Sequence, residues 1–237
     1  MDAQLKTPAV PLSVIIPTLD EAGQIRETLA SVEQARRRGA EVIVVDGGSR
    51  DDTVALAAHH TDLVVSAERG RARQMNAGAV HAKGDVLLFL HADSRPPAAF
   101  DRVVNDALAA TAKQWGRFDV SITGKHRLLP LVATAMNLRS RLSGIATGDQ
   151  AIFVTRALFE ASGGFPDIPL MEDVAFCASL RRRHRPLCLH NRVSTSGRRW
   201  EKHGVLRTVL LMWRLRLAYA LGASPHDLAK RYAPHRS

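Results

Sequence analysis

Two acidic residues stand at the ends of apolar runs. Asp46 closes Glu41-Val-Ile-Val-Val-Asp46 and is followed by Gly47-Gly48-Ser49-Arg50-Asp51-Asp52. Asp93 closes Asp85-Val-Leu-Leu-Phe-Leu-His-Ala-Asp93. Each run reads as a buried parallel strand delivering a carboxylate to its carboxyl edge, where open α/β sheets bind ligands. Two such edges within the first hundred residues predict a site for a nucleotide and its cation. Between them, Arg69-Gly70-Arg71-Ala-Arg73 opens a helix. Gly70 permits a close approach, and Arg71 or Arg73 beside a helix N-terminus suits phosphate. Arginines on a helix are more often simply solvated.

The elements that must position these residues follow from the apolar pattern. A first strand over 12–17 is closed by a proline that cannot donate to a ladder. Asp20 or Thr18 can cap the helix that follows, whose apolar stripe is Ile25, Leu29 and Val32. Strands over 42–46, 62–66 and 86–90 alternate with helices beginning near Asp51-Asp52, over 71–81, and from Pro96-Pro97 to about Ala110. This alternation predicts a parallel, doubly wound sheet. Beyond residue 115 it loosens. There, 117–122 and 151–155 read as strands, 128–142 and 175–182 as helices, 187–190 as a short strand and 205–221 as a long amphipathic helix. No internal repeat or linker interrupts the chain. One domain over 1–237 is expected, with a regular half at about 12–115 and a more variable half at about 116–237.

Hydrophobic residues make up 46% of the chain and charged ones 24%, a composition that excludes wholesale disorder. The net charge of +10 gathers late, in Arg181-Arg182-Arg183-His184-Arg185 and Arg198-Arg199. Such a surface serves nucleic acid, anionic lipid or a phosphorylated substrate, or is only solvated helix faces. Aromatics at 5% and the lack of any binding module argue against nucleic acid. Cys177 and Cys188 form neither a disulfide framework nor a metal spacing, and read as core or near-core thiols in a reducing compartment. The first residues lack the features of a secretory leader, and no stretch approaches the roughly 20 apolar residues of a membrane span. A cytoplasmic protein is expected. Val209, Met212, Trp213, Leu217 and Leu221 fall near one face of 205–221 and could meet the inner surface of a membrane or pack onto the core.

Six short motifs occur in a fixed order: Pro17-Thr-Leu-Asp-Glu21, Val44-Val-Asp46-Gly-Gly-Ser49-Arg-Asp51-Asp-Thr53, Leu90-His-Ala-Asp93, Gly148-Asp149-Gln150, Glu172-Asp173 and Arg199-Trp200. Together they resemble family 2 glycosyltransferases from about residue 12 to 200. The nearest likeness is to a bacterial branch associated with radical-SAM and selenium-related domains. Each motif alone is weak, and their order makes the resemblance specific. It implies a GT-A fold, Rossmann-like with a mainly parallel central sheet and helices on both faces. It also implies inverting transfer from a nucleoside-diphosphate sugar, UDP-linked, to a hydroxyl acceptor that could be lipid-linked. The half at 12–115 would then hold the donor and the half at 116–237 the acceptor.

The resemblance assigns Pro17, Glu21, Asp46, Gly70, Arg71, Asn76, His91 and Ala92 to the nucleotide. Asp46 would accept the N–H of a uracil-like base, or else cap the Ser49–Thr53 turn. Glu21 would accept from ribose or base, or else be a first-turn acid favoured by the helix dipole. Asp93 would hold Mn²⁺ or Mg²⁺ bridging the diphosphate. His91 replaces the acid expected two residues before Asp93. It could donate to ribose, favour Mn²⁺ or be a satisfied strand-end histidine. Asp173 matches the base that takes the acceptor proton, through an oxocarbenium-like transition state, and also suits an N-cap. Glu172 and Asp149 complete that acidic cluster, with Gln150 beside it. Arg199 would contact the diphosphate; Trp200 would stack on sugar or acceptor, or anchor the last helix. Ser196 replaces the glutamine of the polymer synthases' Gln-x-x-Arg-Trp, so single transfer is expected. A nucleotidyltransferase is disfavoured, because Pro-Thr-Leu-Asp-Glu stands where a Gly-rich basic loop belongs. A silent nucleotide binder stays open through His91.

Overall fold

A computed structural model of the chain describes residues 11–232. The N-terminal segment read above for a leader lies outside them. The first half follows the apolar pattern closely: β1 (Leu12–Thr18), α1 (Ile25–Arg37), β2 (Glu41–Asp46), α2 (Thr53–Ala58), β3 (Leu63–Ser66), α3 (Arg71–His81) and β4 (Val86–Phe89). These four strands run parallel in the order β3-β2-β1-β4. The side chains of β1, β2 and β4 are buried on both faces, as expected of a covered parallel sheet, while β3 at its edge is half-buried to exposed. Val14, Ile16, Val44 and Leu88 pack under α1, and Ile15, Ile43, Val45 and Leu87 under α3. Gly78 lets α3 lie this close, because a Cβ there would sit 2.4 Å from Ile15 Cγ2 and 2.9 Å from Val45 Cγ2.

The second half comprises β5 (Ser94–Arg95), α4 (Phe100–Ala109), β6 (Trp115–Thr123), α5 (Leu129–Ser143), β7 (Ile152–Thr155), α6 (Arg156–Ser162), α7 (Glu172–Arg183), β8 (Leu187–Ser196), α8 (Arg198–His203), α9 (Val205–Ala220) and α10 (Pro225–Tyr232). The full sheet has eight strands in the order β3-β2-β1-β4-β7-β6-β8-β5. It is mixed rather than doubly wound and parallel throughout. Ile152 pairs with Phe89 at the carboxyl end of β4, so the chain enters β7 at that edge and must run back down it. The β6–β7 and β5–β8 pairs are also antiparallel, and β6–β8 is parallel.

Several boundaries differ from expectation. Neither Asp20 nor Thr18 caps α1; Gln24 holds the cap position without a side-chain bond. Asp20 instead joins two loops, accepting from Arg50 N at 2.7 Å and donating its own N–H to Ser49 Oγ at 2.9 Å. Helix α4 starts at Phe100, after the two prolines. The strand begun at Leu187 runs ten residues, not four. Beyond His190 it stays paired to β6 through a register shift at Phe118/Asp119, and its polar Asn191-Arg192 hides this continuation. The short β5, α6, α8 and α10 add to the elements read from the apolar pattern. Cys177 is buried and Cys188 half-buried, and both are free. Among the described residues, no helix is long and apolar enough to cross a membrane.

Candidate active site

A cleft of about 1810 Å³ opens at the carboxyl edges of β1 and β4. Pro17, Glu21, Gly70, Arg71, His91, Ala92, Asp93, Asp149, Arg199 and Trp200 all line it, from the sites named in the sequence. The parallel strands deliver Glu21 and Asp93 side by side. Burial raises the Glu21 carboxyl above its ordinary value, and the neighbouring Asp93 charge adds to that. Arg198, 3.4 Å from Glu21 Oε2, works against both. Ala92 is fixed through its carbonyl, which accepts from Thr28 Oγ1 at 2.6 Å. Gly70 enters α3 at φ 149°, a conformation that favours glycine. Arg71 follows it into the cleft, whereas Arg73 turns away to Asp167 at 2.9 Å and to Glu68.

The second half contributes an acid cluster around the one-turn 3₁₀ helix Gly148–Gln150. His91 Nδ1 lies 3.3 Å from Asp149 Oδ1. Its ring rests on Gly148, where a Cβ would come 2.2 Å from Nε2. Partial burial pushes the Asp149 carboxyl up, but His91, Arg199 and Arg71 outweigh it and hold the carboxyl down at about 2. Glu172 is pushed up by burial and by the Asp173 charge, with Arg71 opposing at 3.9 Å. Arg199 stands over the Tyr232 ring, 5.4 Å from its centroid. Trp200 packs partly against the Val120, Leu129 and Val205 cluster, as an anchor would, while still lining the cleft.

Five expected residues, Asp46, Asn76, Gln150, Glu172 and Asp173, do not line this cleft. Asp46 is buried, with Oδ2 accepting from Gly48 N at 2.9 Å and Ser49 N at 3.0 Å, and Ser49 Oγ donating to Oδ1. That is the turn-capping arrangement. Asn76 clamps the Phe165 backbone, donating to its carbonyl at 2.8 Å and accepting from its N–H at 2.9 Å. Gln150 is buried and accepts from Thr147 N at 3.3 Å. Asp173 is not the N-cap of α7; Met171 holds that place and Asp173 lies within the first turn. Asp173 accepts from Gly148 N at 2.9 Å and Val174 N at 2.7 Å, and stays partly exposed. It lines a small neighbouring pocket with Glu172, and His91 lines both pockets.

Other cleft residues went unnamed in the sequence. Gln74 Nε2 donates to Thr18 O at 2.7 Å and Val45 O at 2.8 Å, tying α3 to the strand ends. Arg198, Arg139 and Arg216 also line the cleft. Adjacency to Arg199 could have marked Arg198. Arg139 and Arg216 lie on separate helices 77 positions apart, with no local signal linking them.

The sequence model of the family described as "Glycosyl transferase family 2" matches residues 13–131, half of the chain. An uncharacterized glycosyltransferase of Mycobacterium tuberculosis is 39% identical over 94 residues, covering 38% of this chain and 36% of the relative. A PGL/p-HBAD biosynthesis glycosyltransferase of Mycobacterium bovis is 31% identical over 173 residues, covering 65% and 62%. The chain thus spans between about a third and three-fifths of the length of these relatives. Among solved structures, S. aureus TarS 1–349 superposes with a TM-score of 0.64 at 19% identity, covering 80% of this chain and 61% of TarS. The mannosyltransferase PcManGT from Pyrobaculum calidifontis, in complex with GDP-Man and Mn²⁺, gives 0.63 at 24% identity, covering 95% and 70%. These likenesses show the expected GT-A fold.

Proposed function

The chain belongs to glycosyl transferase family 2, and on that premise we propose that it transfers a sugar, with inversion, from a UDP-linked donor to an acceptor hydroxyl. The observation that carries this reading is the division of charge in one cleft. Glu21 and Asp93 stand at the strand edges, facing Arg71, Arg198 and Arg199. A diphosphate with its cation needs both poles. Arg71 opens α3, so its guanidinium and the helix N-terminus act on the same phosphate oxygens. TarS has been crystallised with UDP, which supports the choice of base.

Asp93 would hold Mn²⁺ or Mg²⁺. Among the described residues, no three His, Cys, Asp or Glu side chains cluster to enclose an ion. The donor set nevertheless fits, because such ions commonly use one or two carboxylates and complete their shell with substrate phosphates. The ion supplies neutralisation of the charge that grows on the leaving diphosphate, and the Mn²⁺ bound to PcManGT supports it. His91, held between Asp149 and Gly148, fits the role of a satisfied histidine that positions Asp149.

Asp173 is the proposed base. Asp149, held at about 2, is a weak proton acceptor and suits hydrogen bonding to acceptor hydroxyls. Glu172 is buried and placed toward Arg71. Asp173 accepts from two backbone N–H groups and keeps part of its carboxylate accessible. As the acceptor oxygen bonds to the anomeric carbon, its proton passes to Asp173. The bond from that carbon to the diphosphate oxygen breaks, and its electron pair leaves on the nucleoside diphosphate. Trp200 offers the sugar a flat apolar wall. The division into donor and acceptor halves, and the radical-SAM and selenodomain-associated branch, belong to the same proposal and rest on the order of the motifs.

Asp173→Asn keeps the shape of the side chain but cannot take a proton. Transfer, or donor hydrolysis as its slow surrogate, should fall about 10²–10⁴-fold, with UDP binding unchanged. Glu172→Gln should do less. A wild-type rate in Asp173→Asn with a dead Asp149→Asn would move the base to Asp149. A wild-type chain that binds UDP and Mn²⁺ but turns over no donor sugar would be a silent binder.

A further inference from the structure

The cleft continues past Asp149 between α5 and α9, where its walls become apolar. Leu131, Leu138 and Leu142 of α5 and Leu206, Trp213 and Leu217 of α9 line it. Each is 57 to 70% exposed. Helical spacing places each set along one stripe, and soluble chains rarely leave so many large apolar groups together in water without a partner. The spacing of apolar residues along α9 allows two arrangements, a membrane-facing stripe or a packed one. In the fold, Leu215 packs inward while Trp213 and Leu217 line the open groove.

Two cations share these walls, Arg139 from α5 and Arg216 from α9, both half-buried. Arg139 makes one hydrogen bond, 3.3 Å to the Ile145 carbonyl. Arg216 makes no hydrogen bond or ion pair among the described residues. Burial pushes the Arg139 guanidinium down to about 10, and the Arg216 charge adds to that. Arg216 is likewise lowered by burial, with Asp173 opposing the shift in both. Two mutually repelling guanidinium groups in an apolar groove are complementary to an anion on a hydrocarbon chain. Phosphate suits them best, since each planar fork can hold two of its oxygens.

We propose that the groove between α5 and α9 binds the hydrocarbon of a lipid phosphate, with the phosphate on Arg139 and Arg216, and that the acceptor is carried on such a lipid. The lipid site stands on the groove itself; its role as acceptor rests on the transferase reading. Continuity of the cleft brings the head group toward Asp149 and the donor. The hydrocarbon covers the leucine stripes, and the phosphate relieves the repulsion between the arginines.

Decyl phosphate is the probe, titrated into the full chain below its micelle concentration and followed by tryptophan fluorescence and calorimetry. It should bind at least tenfold more tightly than decanol or inorganic phosphate, by adding the two contributions. Arg139→Gln with Arg216→Gln should reduce decyl phosphate to the level of decanol, and either single substitution, if the pair fails to fold, should do so in part. Leu138→Ser with Leu217→Ser should weaken decanol and decyl phosphate alike. Equal binding of decanol and decyl phosphate, or inorganic phosphate as tight as decyl phosphate, would overturn the proposal. So would binding confined to anionic phosphatidylglycerol vesicles and indifferent to all four substitutions, which would mark a charged membrane-facing surface instead. The melting shift with UDP and Mn²⁺, read on the same samples, tests the transferase proposal separately.

Discussion

At the edge of β1, β2 and β4, polar groups are tied to the fold itself. Gln74 bridges Thr18 and Val45, Asp46 is held by the turn after β2, and Asp20 locks to Arg50 and Ser49. The strands beneath are fully buried. Between α5 and α9 the same cleft has the opposite construction, with exposed leucines and an Arg216 that lacks a hydrogen bond among the described residues. A rigid floor suits a ligand of fixed geometry such as a diphosphate, whose contacts are strong only when aligned. An apolar wall suits a flexible chain that is recognised by area rather than by direction.

Stability measurements can break that contrast. Gly78→Ala would drive a methyl into Ile15 and Val45 and should cost about 1–3 kcal/mol in urea unfolding, the usual penalty for overpacking. A neutral result would mean the floor is looser than its packing indicates. A smaller effect sharpens the picture at the junction of the two regions. Asp149 falls from an ordinary 3.8 to about 2 in the folded chain. Its contribution to stability is therefore present above about 3.8 and lost as the pH falls through about 2. Acid unfolding should be shallower over that window in Asp149→Asn, and an unchanged slope would mean that His91 and the arginines do not hold this carboxylate. The side chain is 39% exposed, so the effect should be modest. Smallest of all is Leu217→Ser on the groove wall. It should leave stability within about 0.5 kcal/mol, as for a surface position, and a core-sized loss would mean the wall is packed rather than open.

The floor was legible because each of its strands is a local signal. Apolar runs ending in Asp46 and Asp93 mark both the strands and the edge they reach. What the carboxylates do there was less legible. Asp46 and Asp93 close their apolar runs alike in the sequence, yet a Gly-Gly-Ser turn captures the first, while the second lies beyond the end of β4 and lines the cleft. Asn76 likewise looks like a helix residue near the nucleotide until Phe165, 89 positions later, is seen to occupy it. The α9 wall of the groove was legible in its apolar face, but its α5 wall and its arginine pair were not, for the same reason. Its arginines are joined only by the packing of α5 against the same cleft as α9. The return strand β7 and the extended β8 also depend on partners distant in sequence.

The most direct test of the central claim, that this cleft binds a nucleoside diphosphate with a cation on Asp93, is thermal unfolding with UDP and Mn²⁺ in the wild type and in Asp93→Asn. Ligand binding raises the melting temperature by mass action. The wild type should gain more from UDP with Mn²⁺ than from UDP alone, and Asp93→Asn should lose that Mn²⁺-dependent gain while its unliganded melting temperature stays close to wild type. No shift in the wild type, or the same Mn²⁺-dependent shift in both proteins, would contradict it.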